Sequence, residues 1–438
     1  MKAELILKSS CVFTAAGEPP FAGYVALGGG HILAVGHGEP ESALIGDNCR
    51  ILDCGDGTIC PGFFDVHCFF TGYAAQKLGL DAENSAQQDA MLRDRERILP
   101  LFRDYMRLLN SRGVTSVKEM GFDDFHGFPA LLEELEKKGE LTLRVSFMSQ
   151  PFDRPLDLAF GKEMSARFHS DYLRFSGYNR MTDGSISQME GALKQAYCGT
   201  DCLCAISIDW DAIAGELRTA DENGFRFSLH AQGDAAIAKV LDLYECCRRD
   251  ENGRLINRHS ITDLEFSDPE DLERMGALGA IAEIYPQIQS IAERESKLAM
   301  IREKIGEERG RFYWNRRKMA DSGVLLSCGT DLPLLIDDIP ESVYHAVGGF
   351  FPEGGEPFNG QNTLTAAELL TAWTRGGAYN LFCEDKLGTL EAGKKADITV
   401  LSGDLFAVPP SAARTLRVVL TLLDGEEVYN AIAEGEVL

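Results

Sequence analysis

The sequence predicts an α/β protein: a TIM-type (β/α)8 barrel with a small composite β-sandwich domain formed by the N- and C-terminal segments. Three observations carry this. From residue 63 onward, eight short apolar runs alternate with mostly helical stretches. Eight strand–helix units in succession are what a closed parallel barrel requires. β pattern fills the residues before this region and returns after it. The 438 residues suffice for one large domain and one smaller one.

The elements follow in order. Runs at 24–27 and 32–35 flank Gly28-Gly29-Gly30, a hairpin signal, and a short strand follows at 50–53. The barrel strands are expected near 63–67, 114–118, 141–147, 171–176, 225–230, 259–263, 279–284 and 324–330. Helical periodicity lies between most of them, as at 91–109, 129–138 and 235–247. After a helix over 366–381, a strand is expected at 396–401, then a hairpin, 418–423 and 426–429, turning on Asp424-Gly425. The expected domains are 1–60 plus 385–438 for the composite β domain and 61–384 for the barrel.

Lys and Arg number 43 against 68 Asp and Glu, a net charge of −25. Such an acidic surface argues against nucleic acid and anionic membrane as partners. No run of 18 apolar residues is present, so no membrane span is expected. The start, Met-Lys-Ala-Glu-Leu-Ile-Leu-Lys, reads as a charged strand rather than a signal peptide. The twelve cysteines are then expected as free thiols in a reducing cytoplasm. Cys198, Cys202 and Cys204 cluster, but no histidine or fourth cysteine lies near them to complete a zinc site.

Barrel chemistry sits at the C-terminal ends of the strands. The first strand brings Asp65 and His67 there, the second Lys118 and Glu119, and the fourth Arg174 and Ser176. His230 closes the fifth, Asp263 the sixth and Asp331 the eighth. Each alone has a structural explanation; together they point to one shared cavity. Alternation along the second strand sets Lys118 opposite to Val117, toward the barrel interior if the apolar side packs on helices. Fixed cations such as Lys118 or Arg174 could neutralise carboxylates, stabilise an oxyanion or bind a substrate carboxylate. His31, His37, His126, His169 and His345 stand in no motif.

Several segments carry a resemblance. They are Pro61-Gly62-Phe63-Phe64-Asp65-Val66-His67, Gly113-Val114-Thr115-Ser116-Val117, Asp183-Gly184-Ser185, the run from His230-Ala231-Gln232-Gly233 through Asp234-Ala235-Ala236-Ile237, Arg258-His259, Gly329-Thr330-Asp331-Leu332-Pro333, and Leu387-Gly388-Thr389-Leu390-Glu391-Ala392-Gly393. In this order and spacing the chain resembles the amidohydrolase superfamily over nearly its whole length, most of all its family 3 branch of N-substituted formamide deformylase-like proteins. The resemblance implies hydrolysis of a C–N bond in a small molecule, often by a homodimer. It also implies metal ligands at His67, His230 and Asp331, and Asp331 as the acid–base that takes a proton from water and passes it to the leaving group. His230 is implied to hold metal or polarise the scissile carbonyl, and Asp183 and His259 to contact substrate.

The departures are equally specific. Phe69 stands where the second histidine of a His-x-His pair is expected, so a phenyl ring shares the metal face and would line the substrate. Thr262 and Asp263 replace a Glu-His pair on the sixth strand. The bridging-lysine position is Asn179, or Arg174 if an insertion is allowed. One divalent metal (zinc, manganese or iron) held among His67, His230, Asp263 and Asp331 is one outcome, and a metal-free site is the other. The leading expectation is a C–N hydrolase with one metal or none. A metal-independent lyase, isomerase or decarboxylase, with Lys118 and Arg174 in acid–base or carboxylate-binding roles, is the alternative; an inactive ligand-binding homologue is the third.

Overall fold

The computed structural model describes residues 2–81, 84–121, 127–151, 154–334 and 338–432; His126 lies outside them. Five strands come first: β1 (Ala3–Val12), β2 (Phe21–Gly28), β3 (His31–His37), β4 (Ile45–Asp53) and β5 (Thr58–Pro61). The barrel follows as β6 (Phe63–Cys68), β7 (Val114–Glu119), β8 (Arg144–Ser149), β9 (Leu173–Met181), β10 (Phe227–Ala231), β11 (Ser260–Asp263), β12 (Ile281–Ile284) and β13 (Leu325–Cys328). The chain ends with β14 (Ile398–Leu401), β15 (Val418–Leu423) and β16 (Glu426–Asn430).

The eight barrel strands neighbour one another in strict sequence order and pair in parallel. Parallel strands buried on both faces read as unbroken runs rather than alternating ones, and every residue of β6, β7 and β8 is buried. The outward apolar residues pack on the helices: Phe64 and Val66 meet Ala378 and Leu381, while Val117, Val145, Leu229 and Ile261 join the main core. The inward positions are polar and bond across the interior. Ser228 meets Ser260 at 2.6 Å, and the Thr262 hydroxyl donates to Glu283 at 3.0 Å.

Strand β9 runs further than its apolar pattern suggests. It passes through Gly177 (φ +106°), where a β-carbon would stand 2.5 Å from the Arg226 carbonyl oxygen, and continues to Met181. Only glycine adopts that conformation at so close an approach. The extension puts Arg174 at the start of its strand and Asn179 near the end.

The ring closes between β13 and β6 without a regular ladder. The Asp331 N–H donates to the His67 carbonyl (2.8 Å) and the Phe69 N–H to the Leu332 carbonyl (2.9 Å). The Asp65 carboxylate spans the same seam, accepting from the Thr330 N–H (3.0 Å) and hydroxyl (2.6 Å). Gly329 makes the approach feasible, since a β-carbon there would lie 2.5 Å from His67 Cβ.

The two chain ends form one mixed sheet in the order β16-β15-β14-β5-β1-β2-β3, with β4 also paired to β1. Leu5, Leu7, Val25, Ile398 and Leu420 fill its core. It docks on the barrel through Arg144, whose guanidinium binds Asp397 at 2.7 and 2.8 Å and Asp424 at 2.7 Å, all largely buried. All twelve cysteines are free. Among the described residues no helix is long and apolar enough to cross a membrane.

Candidate active site

Four side chains meet at the C-terminal ends of the strands as two histidine–carboxylate pairs. His67, at the end of β6, sets Nε2 3.5 Å from Asp331 Oδ1. His230, near the end of β10, sets Nε2 3.2 Å from Asp263 Oδ2. Both carboxylate residues sit in left-handed backbone, Asp263 at φ 81° and Asp331 at φ 54°. Non-glycine residues rarely hold that conformation, and strain of about 1–3 kcal/mol each is tolerated mainly where function fixes the geometry. His230, Asp263 and Asp331 line a cavity of about 420 Å³. A larger cleft, about 760 Å³, opens between residues 13–18 and the Arg375–Tyr379 region and touches none of the four.

Burial acts on each group and its neighbours decide the outcome. His67 falls to about 3, because burial disfavours its cation and Lys118 and His230 add repulsion that Glu283 only partly offsets. Its ring, wedged edge-on between Phe69 and Tyr285, is therefore neutral. Asp331 rises to about 7, through burial and the nearby Asp263 and Asp65, against the pull of His230. For His230 burial opposes protonation, but Asp263, Asp183 and Asp331 outweigh it and the pKa is raised. A carboxyl group poised near neutrality beside an imidazolium is suited to proton transfer.

Lys118 is brought to the barrel interior and is wholly buried. Its ammonium is paired with Glu283 of β12, which also accepts from Thr262 and from Asn380 (3.0 Å). Burial pulls Lys118 down to about 8; burial also opposes ionisation of Glu283, yet Lys118 and the hydrogen-bond donors hold it at about 2. Both are charged at neutral pH, and Lys118 does not line the cavity.

Arg174 is not brought to the site. It lies at the opposite end of β9, beside Asp171, Cys383 and Asp385. The sequence reading ended this strand at 176, before the glycine that the strand crosses. His259 also lies at the far end, immediately before β11. Its Nε2 meets Asp221 Oδ1 at 3.0 Å, its Nδ1 accepts from the Phe227 N–H at 3.0 Å, and its ring stacks on Tyr244. Both nitrogens are satisfied within the protein, so it does not reach a ligand in the cavity. Asp183 ties down the loop after β10, accepting from the N–H groups of Gln232 (2.8 Å), Gly233 (2.9 Å) and Ala192 (2.8 Å). Phe69 packs with Met120 and Met148 and against His67. Asn179, rather than Arg174, is the β9 residue near the catalytic end, bonded to Gln150 at 2.5 Å.

Sequence reasoning missed Glu283, Tyr285 and the Glu265–Lys297 pair. Glu283 left a signal: a lone carboxylate inside Ile281-Ala282-Glu283-Ile284, a run that reads as a buried strand and so demands a cationic partner. Glu265 lies in the loop after β11 and Lys297, 2.5 Å away, on the helix Arg294–Lys304, and no periodicity connects the two.

The donor chemistry of His67, His230, Asp263 and Asp331 suits zinc, manganese or iron, and Nδ1 of both histidines is buried without a hydrogen-bond partner. As these side chains stand, no three of their donors lie within 4.8 Å of one another. Among the described residues, the only three donors from different side chains that all lie within 4.8 Å of one another are those of Asp221, Cys247 and His259 at the far end of the barrel. The cavity residues thus form two separate pairs rather than a closed coordination shell. The far cluster is spoken for as well: Asp221 is occupied by His259, Asn257 and the Arg248 N–H.

The molecule is thus a (β/α)8 barrel with a terminal-segment β domain and paired histidines and aspartates at its mouth. The model of the amidohydrolase family matches residues 70–429, and the chain belongs to that family. It is 26% identical over 271 residues to YtcJ of Bacillus subtilis (strain 168), spanning 61% of this chain and 50% of that protein. It is 27% identical over 211 residues to the N-substituted formamide deformylase of Arthrobacter pascens, spanning 48% of this chain and 38% of that one. These matches thus cover half or less of each relative's length. The crystal structure of an uncharacterized metal-dependent hydrolase from Pyrococcus furiosus shares the fold, with a TM-score of 0.72 at 17% identity, covering 92% of this chain and 99% of that one.

Proposed function

We propose that this protein hydrolyses a C–N bond of amide type in a small molecule, with Asp331 as the acid–base group. The observation that carries the reading is the pairing, in one cavity, of a carboxyl raised to about 7 with an imidazole whose pKa is also raised. Asp331 as carboxylate takes a proton from water, which adds to the carbonyl carbon. The His230 imidazolium, oriented by Asp263, stabilises the oxyanion. Asp331 then returns its proton to the leaving nitrogen, giving a carboxylic acid and an amine. His67 holds Asp331 in place from behind.

No step passes through a metal, because the donors do not close on one ion. The lyase and decarboxylase alternative needed Lys118 and Arg174 as carboxylate binders; Lys118 is committed to Glu283 and Arg174 lies away from the cavity. Homodimerisation and a cytoplasmic setting belong to the same proposal, and sedimentation of the purified chain tests the first.

The decisive experiment screens N-formyl, N-acyl and cyclic amides for amine release by mass spectrometry, with metal content measured on the same preparation. Turnover by metal-poor protein, lost in Asp331→Asn, is the expected result. Turnover that tracks zinc, manganese or iron toward one per chain, or that survives in Asp331→Asn, overturns the proposed mechanism.

A further inference from the structure

The cavity's walls bear on what it accepts, and the inference drawn from them rests on the hydrolase reading above. Ile288, Ile291, Met300 and Leu334 supply apolar lining. Ile291 and Leu334 are each 52% exposed, the two most exposed large apolar side chains among the described residues, and both belong to this one cavity. Apolar surface left in water at a pocket mouth is surface that a bound apolar group would cover.

The charges in the lining are unequal. Asp263, Glu265 and Asp331 line the cavity, with Lys297 and His230 as cations. Each cation already has a carboxylate partner. The Lys297 ammonium is 2.5 Å from Glu265 Oε1 and lies over the rings of Tyr313 and Trp314, at 4.9 and 5.2 Å. His230 is held by Asp263. A substrate carboxylate entering here would lose its hydration and find three carboxylates with their counter-charges already engaged.

We infer that the substrate is an uncharged amide bearing an extended apolar arm. The arm lies along Ile288, Ile291, Met300 and Leu334, and no carboxylate accompanies it. Lys297, the one lysine lining the cavity among the described residues, acts as a strut that fixes the helix Arg294–Lys304 against Glu265, and not as an anion receptor.

Unreactive ketones test this without relying on turnover. The probes are straight-chain methyl ketones of increasing length and the same ketones ending in a carboxylate, titrated into the wild-type protein by calorimetry. Each added methylene on the neutral series should tighten binding by about fourfold until the wall is covered, the value expected for burying one CH2. The carboxylates should bind at least about tenfold more weakly than neutral ketones of equal length, a penalty of about 1.4 kcal/mol. Ile291→Ser and Leu334→Ser should flatten the length dependence. Tighter binding of the carboxylates, no dependence on length, or no binding at all would overturn the inference. Length-dependent binding of ketones with no turnover of any amide would sink the hydrolase reading alone.

Discussion

Glu283→Gln should destabilise the protein severely, although Glu283 touches no ligand. The carboxylate is fully enclosed with its partner Lys118, and Arg226, also buried, adds a second positive field from the same interior. Removing the anion leaves the Lys118 ammonium without compensation. Breaking a buried pair by deleting one partner costs about 3–5 kcal/mol, a large part of a typical total of about 5–15 kcal/mol. Lys118→Met should cost less, because Glu283 keeps Thr262 and Asn380 as donors. The double variant Lys118→Met/Glu283→Gln should recover part of the loss.

The pH dependence supplies a sign. Lys118 at about 8 in the folded state lies below its unfolded value of about 10.4. The unfolded chain therefore binds more protons between these limits, and stability rises with pH there. Without Glu283 the folded value drops further and the window opens at lower pH. The gap between Glu283→Gln and wild type should then narrow as pH rises toward about 8, by at most about 1.4 kcal/mol per pH unit. Urea unfolding followed by circular dichroism at pH 6 and pH 8.5 measures it. A loss under about 1 kcal/mol, or a gap that does not change with pH, would refute the account of a buried charged pair.

Other outcomes follow from the site. The rate constant kcat/KM should rise with pH through about 7 as Asp331 ionises. Asp331→Asn should lower it by about 10²–10⁴-fold and remove the acid limb; an unchanged profile contradicts the assignment. Phe69→His returns an imidazole to the metal face beside His67, and zinc per chain by elemental analysis should increase over wild type; no increase means that the separation of the two pairs, and not the missing ligand, limits binding. Arg174→Ala should leave kcat/KM within about twofold, an effect of about 0.5 kcal/mol; a large loss would return Arg174 to the active site. Arg144→Ala strips Asp397 and Asp424 of their shared cation and should cost about 3–5 kcal/mol, read from the urea midpoint.

The barrel was legible because its signal is local. Each of the eight strands announced itself as a short apolar run, and all eight stand within a few residues of where that pattern put them. The positions of His67, His230, Asp263 and Asp331 followed from strand ends alone. What failed were matters of depth. Arg174 was given to the mouth of the barrel because its strand was read as ending at 176 when it runs on to Met181, and His259 because the family resemblance, not its place at the start of its strand, assigned it to the substrate. The bond between Lys118 and Glu283 joins the second strand to the seventh, 165 residues apart. No periodicity encodes such a pairing; only the closing of the ring does.

That ring has one thin place. Between β13 and β6 a single isolated bridge, Cys68 to Leu332, stands in for the ladders that join the other neighbours. The backbone of Asp331 fastens this place while its side chain faces the cavity. This joint, next to the acid–base group, is therefore expected to open first on warming. Inactivation should come as a local fraying at this joint, at temperatures where the other joints still hold, so the thermal limit of the activity would be set by one joint and not by the melting of the whole molecule.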